Sequence, residues 1–257
     1  MTGDLAVVTG ASTGLGYQFA RLAHEDGHPL LICADEEEIH VAADKLRSLG
    51  AEVEAMVVDL STRDGVMAFW DRFAHRDVGV FVANAGRALG HAFHEQEWSD
   101  IKRLIDLNVL QTTSMVHKVG RKMHDRGEGR ILVTGSIGGF VPGPFDAVYD
   151  ATKAYLDSFC YALQDEWADS AVTLTCLMPG PLETPIFTRE GNDLADTPIA
   201  QREKQDPVPV AEQGWQAMRE GKRGSVPGAM SKAVTMLSGF VPDEILAKVH
   251  RMGAEPD

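Results

Sequence analysis

The amino-acid sequence predicts an α/β fold: a doubly wound parallel sheet of about seven strands with helices on both faces. Two observations predict it. Short apolar, β-branched runs alternate with longer segments of helical period, which is the pattern of βαβ units. The chain has 257 residues, 44% of them hydrophobic, which fits one large core better than two small ones. We therefore expect residues 1–257 to form a single domain.

The predicted strands and helices alternate up to about residue 180. Strands are expected at residues 5–9, 30–34, 53–59, 78–83, 130–134, 172–178 and 224–227. Helices are expected at residues 15–25, 37–49, 63–75, 97–124, 149–168 and 210–220. Residues 231–252 also show helical spacing and could cover the core or a partner subunit. Residues 181–209, rich in Pro, Thr, Asp and Glu, are expected to form a mobile substrate loop. Right-handed crossovers put all strand carboxyl ends on one edge, where such sheets bind ligands.

The composition argues against several classes of function. A net charge of −14 speaks against a nucleic-acid partner, because phosphate backbones recruit an excess of Lys and Arg. No apolar run approaches the ~20 residues that a membrane-spanning helix needs, and the histidines show no metal-ligand spacing. The three cysteines lie in apolar segments and indicate a reducing compartment. We expect a cytoplasmic protein without a metal or a membrane anchor.

The first predicted strand runs directly into a glycine-rich turn. Residues 9–16 read TGASTGLG, and a helical pattern follows at once. Glycine lets the backbone turn tightly and approach a pyrophosphate, while the N-terminus of the helix supplies N–H donors. Tight strand-to-helix turns also favour glycine without any ligand, but the strand–turn–helix context predicts a dinucleotide site.

Asp35 ends the second predicted strand, nineteen residues beyond Gly16. A carboxylate there can accept both ribose hydroxyl protons of NAD and would repel the additional phosphate of NADP. No Arg or Lys occurs at residues 12–13 or 33–38 to bind that phosphate. The sequence therefore predicts NAD as the cofactor, although an acid at this place also suits the start of a helix.

A second group of chemically active residues follows the fifth predicted strand. Ser136 comes at the end of that strand, and Tyr149 and Lys153 lie four residues apart, on one face of the next helix. A phenol, whose ordinary pKa is about 10, becomes a useful acid/base when a neighbouring ammonium and a cationic nicotinamide favour the phenolate. An isolated Tyr-x-x-x-Lys is usually a surface pair, so its place after a serine in a dinucleotide-binding chain is what indicates catalysis.

With these motifs in this order, the chain to about residue 185 resembles the short-chain dehydrogenase/reductase family, in its single-domain, Rossmann-type branch. Ser136 and Tyr149 stand thirteen apart, the spacing usual in that family. The matching motifs are residues 9–16 (TGxxxGxG), Asp59-Leu60, Asn84-Ala85-Gly86, Asn108, Ser136, Tyr149 with Lys153, and Pro179-Gly180 with Thr184. The chain departs from the family at Ala83, where Asn is frequent, and at Ala34, where the acid that selects NAD commonly falls.

The resemblance implies hydride transfer between NAD(H) and a secondary alcohol or ketone, with Tyr149 as general acid/base. Ser136 would hydrogen-bond the reacting oxygen, Lys153 would bind the nicotinamide ribose and lower the pKa of Tyr149, Asn108 would hold a relay water, and Asn84 would brace the central strands. The implied catalytic residues are Asn108, Ser136, Tyr149 and Lys153. The implied cofactor-binding residues are Thr9, Gly10, Ser12, Thr13, Gly14, Leu15, Gly16, Asp35, Asp59, Leu60, Asn84, Ala85, Gly86, Tyr149, Lys153, Pro179, Gly180, Leu182 and Thr184.

The substrate is expected to be a hydrophobic or aromatic secondary alcohol or ketone, because the predicted pocket is mostly apolar. Its predicted lining is Ile137, Phe140, Val141, Phe145, Leu182, Ile186 and Phe187, with Arg87, His91 and His94 as polar groups that could address the substrate. Two alternatives stay open: an NADP-dependent ketoreductase, and a non-catalytic dinucleotide-binding protein. Asn108 could also be an ordinary helix residue and Ser136 a turn residue.

The family usually assembles as a homodimer or homotetramer, and we expect the same here. Several apolar residues of the predicted helix at residues 97–124 would serve such an interface or, equally, the core of the domain. They are Ile101, Leu104, Ile105, Leu107 and Val109.

Overall fold

Seven parallel strands form one sheet in this computed structural model, which describes residues 3–187, 197–201 and 204–255. The strands are β1 Leu5–Thr9, β2 Leu30–Ala34, β3 Val53–Val57, β4 Val78–Ala83, β5 Gly129–Thr134, β6 Val172–Leu177 and β7 Gly224–Ser225. Their order in the sheet is β3-β2-β1-β4-β5-β6-β7. The predicted doubly wound parallel sheet is confirmed, and the strand ends differ from the prediction by two residues at most.

Helices cover both faces of this sheet. They are α1 Gly14–Glu25, α2 Glu38–Ser48, α3 Arg63–Phe73, α4 Trp98–Ile105, α5 Thr112–Arg126, α6 Ala147–Glu166, α7 Pro198–Gln201, α8 Pro207–Arg219, α9 Ala229–Ser238 and α10 Asp243–Ala254. Buried residues of α1, α2 and α8 pack on one face, and those of α3, α5 and α6 pack on the other. β1 serves both cores, because Ala6 and Val8 face the first and Leu5 and Val7 face the second.

The order of the strands reverses at β1, which lies between β2 and β4. Strands β2 and β3 extend the sheet to one side of β1, and β4 to β7 extend it to the other. The connections that leave β1 and β4 therefore diverge, and a crevice opens between them at the carboxyl edge of the sheet. The glycine-rich turn follows β1 and Asn84 follows β4, so both predicted motifs meet at this crevice.

The prediction of one continuous helix at residues 97–124 is wrong. A π-helical turn, Asp106–Gln111, separates α4 from α5. The apolar pattern continues through this turn, which is why the spacing of residues gave no sign of it. Such widened turns are frequent at functional sites. This one buries the polar side chains of Asn108 and Gln111.

Other predicted segments are resolved by the structure in part. Ile101 and Leu104 belong to a buried cluster within the chain, so these two serve the core. The helical pattern at residues 231–252 forms two helices, α9 and α10, with Gly239 and Pro242 between them. The predicted loop at residues 181–209 falls partly outside the described residues; within it lie α7 and the start of α8.

Helix α1 approaches the end of β1 most closely at Gly16. A Cβ at this position would overlap the carbonyl oxygen of Gly10. That oxygen belongs to the backbone of the turn and cannot rotate away as a side chain would. The close approach of helix and turn therefore requires glycine at this position.

We expect Gly16→Ala to lower the free energy of unfolding by roughly 1–3 kcal/mol, because the added methyl forces the helix and the turn apart. Urea unfolding followed by circular dichroism measures this loss. Gly239→Ala is the matched control, since a Cβ there meets nothing within 4 Å and its φ of −70° suits alanine. Equal losses in the two variants would contradict the steric argument.

Candidate active site

A cleft of about 980 Å³ runs along the carboxyl edge of the sheet. One half of it is formed by the turn after β1 and by the segments that follow β2, β3, β4 and β6, and it is lined by most of the predicted cofactor residues. These are Gly10, Ser12, Thr13, Gly14, Leu15, Asp35, Asp59, Leu60, Asn84, Ala85, Gly86, Tyr149, Lys153, Pro179, Gly180, Leu182 and Thr184. The other two predicted cofactor residues, Thr9 and Gly16, lie behind this wall and shape it.

The turn after β1 fits a pyrophosphate group. Gly10 and Gly14 adopt φ values of 65° and 54°, in the left-handed region that glycine tolerates. A Cβ on Gly10 would lie 2.8 Å from the Cα of Ala85, and one on Gly14 would lie 2.9 Å from Cγ2 of Thr184. The side chain of Thr13 makes no cap hydrogen bond to α1. The N–H groups of the first helical turn are therefore available to an anion in a cradle that side chains would fill.

Thr9 and Asn84 tie the ends of three central strands together. The Thr9 hydroxyl donates to the carbonyl of Val82 and accepts from the N–H groups of Asn84 and Ala85 at 3.0 Å each. The Asn84 side chain donates to the carbonyl oxygens of Thr9 and Gly10 and accepts from the Thr134 hydroxyl at 3.1 Å. The buried hydroxyl of Thr9 thus acts on the cleft indirectly, through the backbone that it holds.

The carboxylates of Asp35 and Asp59 lie on either side of one guanidinium. Arg103 Nη2 is 3.2 Å from Asp35 Oδ2 and 3.2 Å from Asp59 Oδ2. Next to them, the Ser12 hydroxyl donates to Glu36 at 2.5 Å. Sequence reasoning missed Arg103, because 68 residues separate it from Asp35 and no local pattern connects the two.

Tyr149, Ser136 and Lys153 converge where the two halves of the cleft meet. The side chain of Ser136 lies beside the Tyr149 hydroxyl, and this contact lowers the pKa of the phenol. Lys153 Nζ donates to the carbonyl of Thr134 at 2.9 Å and lies 5.6 Å from the centroid of the Tyr149 ring. Ser136 also accepts the N–H of Gly138 at 3.0 Å, so it serves as a turn residue as well. The helical spacing of Tyr149 and Lys153 thus places both beside the serine that ends β5.

The acid–base properties of this group differ from the expectation. Burial raises the pKa of Tyr149, the neighbouring Asp150 raises it further, and the contact with Ser136 opposes both. Burial lowers the pKa of Lys153, opposed by Asp157. The lowered tyrosine pKa that the resemblance implied is therefore not a property of these side chains alone. The protein by itself holds Tyr149 as a neutral phenol.

Asn108 lies behind this group, in the π-helical turn. Its Nδ2 donates to the carbonyl of Arg87 at 2.9 Å and to the Thr152 hydroxyl at 3.0 Å, and its Oδ1 accepts the N–H of Arg87 at 3.0 Å. A Cβ on Gly86 would lie 3.2 Å from this Oδ1 and 3.7 Å from Lys153 Nζ. The amide oxygen has a second lone pair besides the one that accepts from Arg87, which suits the relay water implied for Asn108.

The other half of the cleft is largely apolar. Of the predicted lining, Ile137, Val141, Leu182 and Ile186 are in place. The structure adds residues from α9, α10 and the turn between them, namely Met230, Ala233, Val234, Leu237, Val241, Ile245, Leu246, Val249 and His250. The C-terminal segment thus covers the cleft, a role that its helical spacing did not indicate.

Several predicted pocket residues lie elsewhere. Phe140 packs against the core between the sheet and α6, and Phe145 lies under the guanidinium of Arg251. Arg87 is buried and pairs with Asp100, while 83% of the His94 side chain is exposed. His91 is not among the residues that line the cleft, and it holds Gln96 through its carbonyl. The side chain of Phe187 falls outside the described residues.

Two buried carboxyls, Asp146 and Asp150, line the cleft beside Tyr149. Burial raises the pKa of Asp146 to about 7. Burial and the charge of Asp146 together raise the pKa of Asp150 to about 9. Neither acid was predicted as a site residue, because an acid at the start of a helix is ordinarily solvated and interacts favourably with the helix dipole.

Comparison with known proteins decides the family. Residues 4–195 match the family model described as short chain dehydrogenase. This chain belongs to the short-chain dehydrogenase family. It is an oxidoreductase of that family, and the expectation drawn from the motifs is confirmed at this level. Among curated relatives, a putative ketoacyl reductase of Streptomyces coelicolor is 33% identical over 189 residues, which span 71% of this chain and 72% of the relative.

Solved structures show the same fold in complexes with nicotinamide dinucleotides. A short-chain dehydrogenase from Sphingobium yanoikuyae in complex with NADPH is 26% identical, with a TM-score of 0.81 over 93% of this chain and 97% of that one. A short-chain dehydrogenase/reductase from Burkholderia phymatum in complex with NAD is 23% identical, with a TM-score of 0.83 over 91% and 92% of the two chains. At that identity the second likeness concerns the fold alone.

Within the described ranges, no group of three or more His, Cys, Asp or Glu side chains is placed to hold a metal ion. The helices described there include none that is long and apolar enough to cross a membrane.

We expect Asp150→Asn to make the protein less sensitive to alkaline pH. A carboxyl whose pKa rises from 3.8 to about 9 on folding stabilises the native state fully below the lower value. That stabilisation is lost as the pH rises toward and through the higher value. The asparagine keeps the shape of the protonated acid but cannot ionise. Between about pH 6 and pH 9, the Tm of the wild type should therefore fall more steeply than that of the variant.

Scanning calorimetry at several pH values measures these slopes. Asp165→Asn is the control, since it removes an acid whose side chain is 85% exposed at the other end of α6. It should leave the slope of the wild type unchanged. A wild-type slope in Asp150→Asn would mean that Asp150 is ionised in the folded protein.

Proposed function

We propose that this protein is an NAD(H)-dependent dehydrogenase or reductase that interconverts secondary alcohols and ketones with a hydrophobic or aromatic body. The observation that carries the proposal is the convergence of Tyr149, Ser136 and Lys153 in one wall of the cleft. They lie between a half that fits a dinucleotide and a half that is largely apolar. A non-catalytic dinucleotide-binding protein would have no need for this arrangement.

Tyr149, Ser136 and Lys153 have different roles in proton transfer. When bound, the nicotinamide cofactor accepts the hydride of the alcohol carbon in oxidation or supplies it to the ketone in reduction. In oxidation the phenolate of Tyr149 takes the alcohol proton, and in reduction the Tyr149 hydroxyl gives a proton to the carbonyl oxygen. Ser136, whose side chain lies beside that hydroxyl, holds the same substrate oxygen. A phenol that stays neutral in the protein suits the donor role at neutral pH, and the ammonium of Lys153 favours the phenolate in the reverse direction.

NAD is the proposed cofactor because acids surround the place expected for the adenosine ribose. Asp35, Glu36, Glu38 and Asp59 all line that end of the cleft. A ribose 2′-phosphate, with a charge of about −2, would be repelled by this group, whereas ribose hydroxyls can donate to it. The guanidinium of Arg103 is already shared between two carboxylates.

One observation favours the second candidate, an NADP-dependent ketoreductase. Arg103 is a cation at the ribose end of the cleft, and arginine is well suited to bind a phosphate. For Arg103 to do so, it would have to leave Asp35 and Asp59. The likeness to a putative ketoacyl reductase and to a dehydrogenase in complex with NADPH supports this candidate as well.

The cofactor preference is tested by titration with NADH and NADPH, following nicotinamide fluorescence. We expect NADH to bind at least about tenfold more tightly, a difference of about 1.4 kcal/mol. Asp35→Asn should narrow the gap, because it removes one repelling charge. Arg103→Gln distinguishes the candidates: it leaves the preference for NADH in place under our proposal. Tighter binding of NADPH, lost in Arg103→Gln, would establish the second candidate.

The catalytic assignment is tested with Tyr149→Phe, which removes only the hydroxyl. We expect kcat for oxidation of 1-phenylethanol to fall by about 10²–10⁴-fold, while NADH still binds. Tyr161→Phe is the control on the same helix, since that hydroxyl donates to the sulfur of Met178 and Tyr161 is not among the residues that line the cleft. Retained turnover in Tyr149→Phe would rule out the phenol as the acid/base.

We further propose a homodimer or homotetramer that assembles through α5 and α6, in a reducing, cytoplasmic compartment. Leu110, in the π-helical turn just before α5, and Tyr155 on α6 are 60% and 41% exposed. The Tyr155 hydroxyl is 3.1 Å from the Thr113 hydroxyl across α5 and α6. Cys33, Cys160 and Cys176 are buried and form no disulfide, which suits such a compartment.

Light scattering on a sizing column should give a multiple of the monomer mass, and Leu110→Lys should reduce the measured mass. A monomeric wild type would contradict the proposed assembly.

A further inference from the structure

Asp146 and Asp150 are the least expected groups in the wall of the cleft. Their exposed fractions are 7% and 5%, and both face the same cleft as Tyr149. Oδ1 of Asp146 is enclosed and has no hydrogen-bond partner among the described residues, and the enclosed Oδ2 of Asp150 has Nε2 of His250 at 3.3 Å, outside hydrogen-bond geometry. Buried carboxyls in proteins ordinarily have hydrogen-bond partners, because leaving one unpaired costs several kcal/mol. The unpaired carboxyl of Asp146 in the wall of the cleft therefore points to a ligand.

The loop that closes over Asp150 packs glycine backbone against this carboxyl. Cβ atoms on Gly138 and Gly143 would overlap its two oxygens. The carboxyl thus occupies a socket between two glycines, with Nε2 of His250 at 3.3 Å from its Oδ2, and the residue lines the cleft. Asp157, two turns further along α6, is enclosed by glycines in the same way, but it accepts the thiol of Cys176 and is not among the residues that line the cleft.

The cationic groups near the two carboxyls do not neutralise them. His250 Nε2 lies 3.3 Å from Asp150 Oδ2 without hydrogen-bond geometry, and burial lowers the pKa of this histidine. Arg251 lies over the ring of Phe145 and pairs with Glu255. On α6 itself, Lys153 donates to the carbonyl of Thr134. None of these three side chains is hydrogen-bonded to either carboxyl.

The position of the two carboxyls relates them to the reacting atoms. Asp146 precedes Tyr149 by one helical turn, a spacing that brings side chains within about 5–6 Å of each other at Cβ. Both acids raise the pKa of Tyr149, which shows that they lie within electrostatic reach of its hydroxyl. A substrate group bound to Asp146 would thus be separated by a few covalent bonds from the carbon whose oxygen exchanges a proton with Tyr149.

We propose that Asp146, supported by Asp150, binds a protonated amine on the substrate, so that the preferred substrates are amino alcohols or amino ketones with an apolar body. This inference rests on the proposed function of the cleft and names its substrate class. The ammonium donates to these carboxyls where they line the cleft. The apolar body lies against side chains of α9 and α10 such as Val234, Leu237 and Leu246.

Binding of a cation at these two carboxyls is expected to change the number of protons that the protein holds. At pH 7, Asp150 with its pKa of about 9 is protonated and Asp146 with its pKa of about 7 is half ionised. An ammonium beside them favours the charged forms and lowers both pKa values. Binding of the cation should therefore release protons to the buffer, and binding of a neutral ligand of the same shape should release none. The other titratable groups around the pair are Tyr149, Lys153, Asp157 and His250.

The direct test is calorimetric titration at pH 7 with 2-phenylethylamine and, as its neutral counterpart, 2-phenylethanol. We expect the amine to bind at least about tenfold more tightly, the scale of a charge-assisted contact in a buried site. Titration in two buffers of different ionisation enthalpy should show proton release with the amine only. Asp146→Asn should remove most of the advantage of the amine, and Asp150→Asn part of it. The exposed-acid variant Asp165→Asn should retain all of it.

A second arm separates this inference from the proposed function. With NAD, the wild type should oxidise 2-amino-1-phenylethanol with a higher kcat/KM than 1-phenylethanol, and Asp146→Asn should reverse that order. Oxidation of both alcohols without preference would overturn the amine subsite and leave the dehydrogenase intact. Binding of the amine that depends on Asp146, with neither alcohol oxidised, would overturn the dehydrogenase and leave the subsite. Equal binding of amine and alcohol, without proton release by the wild type, would refute the subsite without any variant.

Discussion

The hydroxyl of Thr9 and the amide of Asn84 form the contact on which the rest of the cleft depends. Together they join the ends of β1, β4 and β5 by six hydrogen bonds that have no counterpart in the regular ladder of the sheet. Four of them hold backbone groups of Thr9, Gly10, Asn84 and Ala85, where β1 and β4 end at the cleft. Loss of one such buried partner costs about 1–3 kcal/mol. The larger effect would be on the site, because the glycine turn and the segment after β4 would lose their mutual position.

Burial sets the chemistry of the other half of the site. Tyr149, Lys153, Asp146 and Asp150 all have pKa values moved toward their neutral forms, and burial is the leading cause for each. Burial in the wall of the cleft therefore disfavours charge on each of these groups. A bound cation would interact with these groups far more strongly than it would in water, because the effective dielectric constant of a buried site is lower.

The sequence predicted the fold well, because the features that determine it are local. Alternating apolar runs locate the strands, and glycines mark the turn that leads into α1. Ser136, Tyr149 and Lys153 were also found, since a serine at a strand end and a helical spacing of four are visible in one short segment. What was missed depends on distant contacts. Arg103 reaches Asp35 across 68 residues, and the π-helical turn at Asn108 continues the same apolar pattern as its neighbours.

Other omissions have a different physical cause. Asp146 and Asp150 stand in the first turn of a helix, where acids are common and usually solvated, and only the loop packed above them makes them buried. The two C-terminal helices show an ordinary amphipathic pattern, which indicates that one side is covered but not what it covers. In both cases the residue type is compatible with two environments, and the tertiary structure chooses between them.

The sockets around the buried acids of α6 have a consequence for how this sequence can change. Gly138 and Gly143 enclose Asp150, and Gly135 and Gly139 enclose Asp157 in the same way. A larger residue at any of these glycines meets a carboxylate, whereas a smaller residue in place of the acid leaves a hole that the loop cannot fill. At Gly138 and Gly143, whose nearest contacts are side-chain atoms, a larger residue combined with a smaller one in place of Asp150 would restore the volume; a Cβ on Gly139 would also meet the backbone of Ala154. Substitutions in the loop and in the helix are therefore expected to occur in pairs. This requirement limits the sequences through which this half of the cleft can acquire a new specificity.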